Sequence, residues 1–423
     1  MIEKLSRLTQ ARPLVLVAFM MQHLWLVWQG LHGVGMPMGD IEFAYHPWVN
    51  EMLTTHHVMG ISQTWVYPYV DEIFMFVPHW LNPSNYQAAW LIMEALIDLS
   101  AMVVLLYWPR KHDSARVGSA WFWIFAQILM GPVSISRLDS ISVAVATVGL
   151  VAWLRAKPTH AAVWFAIATW IKVWPITLLA ATIAEVKKWK PVAAWGLGTG
   201  LFFLVLGAFL GSFHNAISFV TEQTSRGIQI ESPWALPALW ESIRLHKKGF
   251  GIFYDPTLKT FQVYGGQGSL VASLLNPAMY LALALTIGLG WWILRSVCEN
   301  DIARRNEVFA WTVLGAISEM IVFNKVGSPQ YYAWLIVPAI LGQIERVPNW
   351  KIVTNWILFI LGLTGLIYPI LYDHILSGQP WATGVLTVRN LALVLLLVLV
   401  VTRLIELARE QLLQKRANNV LLN

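Results

Sequence analysis

The chain is poor in charge and almost free of cysteine. Asp, Glu, Lys and Arg make up 12% of its 423 residues, about half of the ~25% typical of soluble domains. That shortage, beside 57% hydrophobic residues, excludes an ordinary water-soluble multi-domain protein, and a lipid bilayer takes the place of the missing solvent shell. The single cysteine, Cys298, excludes an intramolecular disulfide. There is no Ser-His-Asp or Cys-His arrangement, no cluster of metal ligands and no internal repeat. Gly265-Gly266-Gln267-Gly268 lacks the Lys-Ser/Thr that a nucleotide phosphate loop requires. His56 and His57 are adjacent, so they point in different directions on a helix, and no carboxylate follows at the next turn. Neither a metal nor a cofactor is expected. No cleavable signal peptide is expected either, because the apolar run Pro13–Leu31 is too long for one and has no small-residue cleavage site.

What the chain does have is a series of apolar runs, each near the roughly 20 residues needed to cross a bilayer. The formal charge of +6 is distributed over short loops between them, which argues against nucleic acid and for the charge asymmetry that orients membrane proteins. The basic connections are Met1–Arg12, Arg110–Arg116, Arg155–His160, Glu185–Lys190, Arg295–Arg305, Glu345–Lys351 and the tail Arg403–Asn423. These are assigned to the cytoplasmic side. The longer, aromatic connections Met36–Asn85, Phe213–Gly268 and Tyr372–Trp381 are assigned to the outer side. The fold class expected is an all-α polytopic membrane protein, a single domain over the whole chain. It has about 12 hydrophobic helices, some short or re-entrant, and short amphipathic helices in the outer loops.

Three pairs of spans are too short for two full crossings. Their polar apices, Ser134–Asp139, Trp170–Pro175 and Asn324–Gln330, are expected below the outer surface, lining a cavity. They carry Arg137 with Asp139, Lys172, and Lys325. Ionisable groups at that depth face a protein interior or a polar cavity more often than lipid. Snorkelling to headgroups is the plainer reading of any one of them. Arg137 and Asp139, two residues apart, are expected to satisfy each other, which ranks Lys172 and Lys325 ahead as anion contacts. Asp40 lies just past the first span, an acid at the outer mouth of a membrane helix and a candidate base. In the large outer loop, Glu222, Gln223, Arg226, Gln229 and Glu231 form a set of sugar-type hydrogen-bonding groups, although a solvated loop face has the same composition. Trp65 and Tyr67 fit either an interfacial aromatic belt or stacking on sugar rings.

Four stretches together carry a resemblance. They are Gly39-Asp40 with Tyr45 and Trp48; Trp65-Val66-Tyr67-Pro68; Arg137-Leu138-Asp139 with Trp170-Ile171-Lys172-Val173-Trp174-Pro175; and Gly227-Ile228-Gln229-Ile230-Glu231-Ser232 with Asn324-Lys325-Val326-Gly327-Ser328-Pro329-Gln330-Tyr331. In this order the chain resembles the GT-C superfamily of polytopic glycosyltransferases. More specifically it resembles glycosyltransferase family 87, the polyprenyl-phosphomannose-dependent mannosyltransferases of actinobacterial envelopes. The superfamily often shows two neighbouring carboxylates in the first outer loop, whereas here Glu42 follows Asp40 by two residues.

The resemblance implies inverting transfer of a hexose, mannose by family, to an envelope glycolipid or glycan on the outer face of the plasma membrane. Asp40 matches the catalytic base. Charge and apex position assign the donor phosphate to Lys172, Lys325 and Arg137. The sugar and acceptor are expected at Tyr45, Trp65, Tyr67, Arg226, Gln229, Glu231 and Gln330. The partners expected are the polyprenyl-phosphate donor, the acceptor and the bilayer; protein partners are unassigned. An arabinofuranosyltransferase using the same lipid carrier is the nearest alternative. A lipid or sugar transporter is a more distant one, and typically shows paired repeats.

Overall fold

The computed structural model describes residues 11–108, 113–222, 226–245, 251–256, 260–263 and 268–421. Most of the Met1–Arg12 segment, part of the Arg110–Arg116 loop, Gln223 and the Gly265-Gly266-Gln267 turn lie outside the described residues. The chain is an all-α polytopic membrane protein with one small β-hairpin. Seven helices among the described residues are long and apolar enough to cross a membrane.

The first half of the bundle begins with α1 (Arg12–His32), α2 (His46–Thr55), α3 (Asp71–Leu81) and α4 (Tyr86–Tyr107). It continues with α5 (Ser114–Met130), α6 (Leu138–Leu154), α7 (Pro158–Thr169), α8 (Ile176–Glu185) and α9 (Trp189–Leu210). Local signals set several starts. Pro13 sits in the first turn of α1, and Asn85 and Asp113 accept the Ala88 and Ala115 amides at the heads of α4 and α5. An acceptor there satisfies an amide that has no intrahelical partner.

The short helices α10 (Phe213–Ala216), α11 (Ser218–Glu222) and α12 (Leu236–Leu245) and the strands β1 (Ile252–Asp255) and β2 (Thr260–Val263) make up the large loop. Then follow α13 (Gly268–Ser296), α14 (Ile302–Val322), α15 (Ile336–Ile344), α16 (Trp350–Gly365), α17 (Tyr372–Leu376) and α18 (Pro380–Leu421). At 1.5 Å per residue, the 42 residues of α18 make a rod of about 63 Å, twice a bilayer's hydrocarbon thickness.

Helices α6 and α8 are apolar but shorter than a full crossing. Helix α14 is long enough, but from Glu307 to Val322 it is buried on all sides by its neighbours. One continuous apolar core joins α1, α4 to α8, α14 to α16 and α18. Packing is close enough that glycine is needed at a crossing: a Cβ on Gly149 of α6 would stand 2.7 Å from the Phe165 ring of α7.

The connections sort into two groups by their mutual contacts. At one end, Arg305 pairs with Glu185 at 2.7 Å, Lys187 with Glu299 at 2.6 Å and Arg403 with Glu307 at 2.7 Å. Arg304 pairs there with Glu410, and the Arg155 guanidinium donates to the Trp108 carbonyl at 2.6 Å. At the other end, Asn215 donates to the Ile61 carbonyl at 2.8 Å, the Gln229 amide to the Lys325 carbonyl at 2.9 Å, and Arg137 to the Pro37 carbonyl at 3.2 Å. The basic connections thus meet one another, and so do the aromatic ones.

Candidate active site

At the aromatic end, three segments converge on one cavity of about 260 Å³. The first runs from the end of α1 through a single π-helical turn, Ile41–Tyr45, into α2. Asp40 heads that turn and faces the cavity. The second segment is Gly227–Ser232. Its alternation of apolar and polar residues is that of a strand, and it lies beside β2: Ile230 donates to the Phe261 carbonyl at 3.1 Å and Val263 to the Ile228 carbonyl at 2.9 Å. Ile228 and Ile230 are buried against α12 and α18, which leaves Gln229 and Glu231 on the opposite face, in the cavity wall. The third is Asn324–Gln330. Gly327 there has φ +58°, and a Cβ on it would stand 2.5 Å from the Ser232 Cα, so only glycine lets the two segments lie flat together.

Arg137 is the extended residue just before α6. Its Nε lies 2.8 Å from Asp40 Oδ2. The Nε–H is not aligned on that oxygen, so the contact is an ion pair rather than a hydrogen bond. The other guanidinium nitrogens are occupied: Nη1 donates to the Pro37 and Ser136 carbonyls at 3.2 and 3.0 Å, and Nη2 to the Tyr368 hydroxyl at 3.3 Å. Arg137 therefore ties the loop before Asp40 to the α6 start.

The expectation that Arg137 and Asp139 neutralise each other is overturned. An extended residue before a helix points its side chain away from the first turn, so the two side chains diverge. Asp139 instead accepts from Trp334 Nε1 at 2.8 Å and pairs with Lys172 Nζ at 3.7 Å. Lys172 Nζ also stands 3.7 Å over the Tyr67 ring, a cation–π contact.

Lys172 and Lys325 do not line the Asp40 cavity. Both line a second, mainly apolar cavity of about 450 Å³ against α8 and α13, whose walls include Ile176, Met279, Tyr280 and Leu283. The two cavities share Val66, Tyr67, Val326 and Tyr331. Burial pushes the Glu231 carboxyl up to about 7, against the pull of the Tyr372 hydroxyl and Arg389.

Of the other expected residues, Tyr45, Tyr67, Arg226, Gln229, Glu231 and Gln330 all line the first cavity. Trp65 lines neither. Its ring is buried edge-on against Trp48 and Tyr67, 5.6 and 5.3 Å away, and its amide donates to Ser218 Oγ at 2.9 Å. Several residues of the site were not singled out in sequence. Tyr368 and Tyr372 arrive from the far end of α16 and its continuation. Arg389 of α18, fully buried, donates to the Glu231 carbonyl at 2.7 Å and lies over the Tyr332 ring at 4.3 Å. An arginine inside an otherwise apolar helix is a sequence signal in its own right. Glu94 and Asp98, one turn apart in α4, are another, and with His23 they form a buried cluster whose ligand atoms lie within 4.8 Å of one another. The 71-residue separation between His23 and Glu94 hides that cluster from a search for local metal spacing.

Compared with known families and characterised proteins, the chain matches no family model and no curated protein.

Proposed function

We propose that this chain is a GT-C-type glycosyltransferase that moves a hexose, mannose by its resemblance to family 87, from a polyprenyl-phosphate donor to an envelope glycolipid or glycan. The observation that carries this reading is the pair of adjoining cavities, which share Val66, Tyr67, Val326 and Tyr331 in their walls. One is small and walled by the polar side chains Asp40, Arg226, Gln229 and Glu231; the other is mainly apolar and has Lys172 and Lys325 in its wall. A polyprenyl-phosphate sugar has the same three parts in the same order: an apolar chain, a phosphate and a polar ring. The apolar cavity takes the first isoprene units, Lys172 and Lys325 take the phosphate, and the Asp40 cavity takes the sugar.

In the transfer, an acceptor hydroxyl loses its proton to the Asp40 carboxylate and its oxygen attacks the anomeric carbon. The bond from that carbon to the phosphate oxygen breaks on the opposite face, and polyprenyl phosphate leaves with the bonding pair. A carboxylate in hydrogen-bond reach is sufficient as base, and the lysines stabilise charge that grows on the departing phosphate. Arg137, with its donors engaged, positions Asp40. The ion pair occupies Oδ2 and leaves Oδ1 for the acceptor. The outer face of a plasma membrane, in an actinobacterium by the same resemblance, is the proposed setting.

The test is transfer by purified protein in lipid nanodiscs, with radiolabelled polyprenyl-phosphomannose as donor and an envelope lipid extract as acceptor. Polyprenyl-phosphoarabinose and nucleotide sugars serve as parallel arms. Label should move from the mannose donor alone. Transfer from the arabinose donor alone would keep the mechanism and change the sugar, and transfer from a nucleotide sugar would refute the reading.

A further inference from the structure

Away from both cavities, three ionisable side chains meet inside the helical bundle. His23 of α1 and Glu94 and Asp98 of α4 are 2%, 0% and 1% exposed. Glu94 and Asp98 are four residues apart and so share a face of α4, the face on which α1 packs. His23 Nδ1 lies 3.2 Å from the Phe19 carbonyl. A carbonyl only accepts, so Nδ1 carries the hydrogen and the Nε2 of a neutral ring carries a lone pair. That lone pair faces Glu94 Oε2 and Asp98 Oδ2, each 3.7 Å away. Nε2, both Glu94 oxygens and Asp98 Oδ1 have no hydrogen-bond partner. Gln127 donates to Asp98 Oδ2 at 2.5 Å, which fixes that carboxylate without filling the space between the three groups.

The distances fit a shared metal ion better than a direct hydrogen bond, and 3.7 Å is otherwise the length of a loose ion pair such as Asp139–Lys172. At 3.7 Å the groups are beyond the ~3.2 Å limit of an N–H···O hydrogen bond. They are close to the ~3.3–3.6 Å separating two atoms bound at about 2.0–2.2 Å to one tetrahedral ion. With both carboxylates ionised and the imidazole neutral the cluster carries −2, and because an uncompensated buried charge costs several kcal/mol it must be filled by protons or by a cation. A divalent ion cancels it. The Nδ1–H bond to a backbone carbonyl is the outer contact that orients a metal-bound histidine, and an imidazole nitrogen in the set favours a zinc-like ion over magnesium or calcium.

We infer that His23, Glu94 and Asp98 bind one divalent transition-metal ion of the zinc class, which pins α1 to α4. Its role is structural. Trp90, one turn before Glu94, stacks on Tyr45 at 4.9 Å and donates to the Ile135 carbonyl at 3.3 Å. A pinned α4 therefore holds both the Tyr45 wall of the polar cavity and the segment leading to Arg137. The inference does not depend on which reaction the cavities serve.

The test uses the full chain purified without chelator, incubated with zinc alone and freed of loose metal by gel filtration. Wild type should retain one zinc per chain, and cobalt(II) in its place should give visible ligand-field bands that zinc abolishes. Asp98→Asn and His23→Ala should each weaken zinc binding on the order of 100-fold or more, since even outer-contact mutations cost 10–100-fold. Monodisperse wild-type protein that takes up neither metal overturns the inference. Zinc retained undiminished by both variants overturns it as well, as does a sulfur ligand in X-ray absorption, which would point to Cys298. If neither variant folds, the wild-type cobalt spectrum and its loss on adding zinc decide alone.

Discussion

Replacing Asp40 by asparagine separates a base from a salt-bridge partner, because the two roles predict effects of different size. The substitution keeps the shape of the side chain and removes its charge. Arg137 then loses its ion partner but keeps its bonds to Pro37, Ser136 and Tyr368. Breaking a fully buried ion pair costs roughly 3–5 kcal/mol. The Asp40 side chain is 37% exposed, so solvent screens the pair and the loss falls to about 1 kcal/mol or less. Loss of a general base costs about 10²–10⁴-fold in rate, which is about 2.7–5.5 kcal/mol of activation free energy. The assay is single-turnover transfer from polyprenyl-phosphomannose in nanodiscs, run beside thermal unfolding followed by the fluorescence of the 24 tryptophans. The expected result is a nearly unchanged melting curve with transfer lost. Transfer within about tenfold of wild type, less than general-base loss allows, would refute the assignment and leave Glu231, the other carboxylate of the wall, as the group to remove.

Four further outcomes are expected. Lys172→Met and Lys325→Met should each lower donor kcat/KM by about 10- to 100-fold, the worth of one charge-assisted phosphate contact, with acceptor KM unmoved. Adding Asp139→Asn to Lys172→Met should restore stability but not donor use, and equal rescue of both would make Lys172 a structural residue. Glu231, pushed up to about 7 by burial, holds a proton in the folded state that the unfolded chain has lost above about 4.5. Its contribution is therefore fully present below pH ~4.5 and is lost as pH rises to ~7, up to about 3 kcal/mol in all. Glu231→Gln should flatten that part of the stability–pH curve, and an unchanged curve would assign the dependence elsewhere. Finally, with Cys298 replaced, an impermeant thiol reagent on intact cells should label a cysteine placed at Thr260 and spare one placed at Lys187; the opposite pattern would reverse the proposed orientation.

Some of this arrangement was legible in the chain. The alternation in Ile228-Gln229-Ile230-Glu231 already puts two polar groups on one side of an extended segment, and the structure adds only what that side faces. The short spans around Lys172 and Lys325 foretold apices held within the bundle, and both lysines are 8% exposed or less. Pairing was not legible. Arg137 and Asp139 are neighbours in sequence, but a change from extended to helical backbone between them sends their side chains apart. Asp40 and Lys172, the actual partners, are reached only through tertiary structure. Trp65 was misleading for a related reason: a tryptophan beside a sugar-sized cavity and one buried behind its wall have the same sequence context. The His23 cluster needed two helices brought side by side, and only its Glu94/Asp98 half lay on one continuous face.

The pairing of Asp40 with Arg137 and of Asp139 with Lys172 bears on selection among lipids. Arg137 and Lys172 are thus compensated before any ligand arrives, and these two pairs present a weak net field to their surroundings. Anionic phospholipids gain little by approaching these pairs. On the proposed reading, a donor is chosen by the simultaneous fit of its chain, phosphate and sugar, and charge alone is a poor credential. Added salt, which screens long-range attraction over about 8–10 Å, should then leave discrimination between the donor and bulk phospholipid almost untouched.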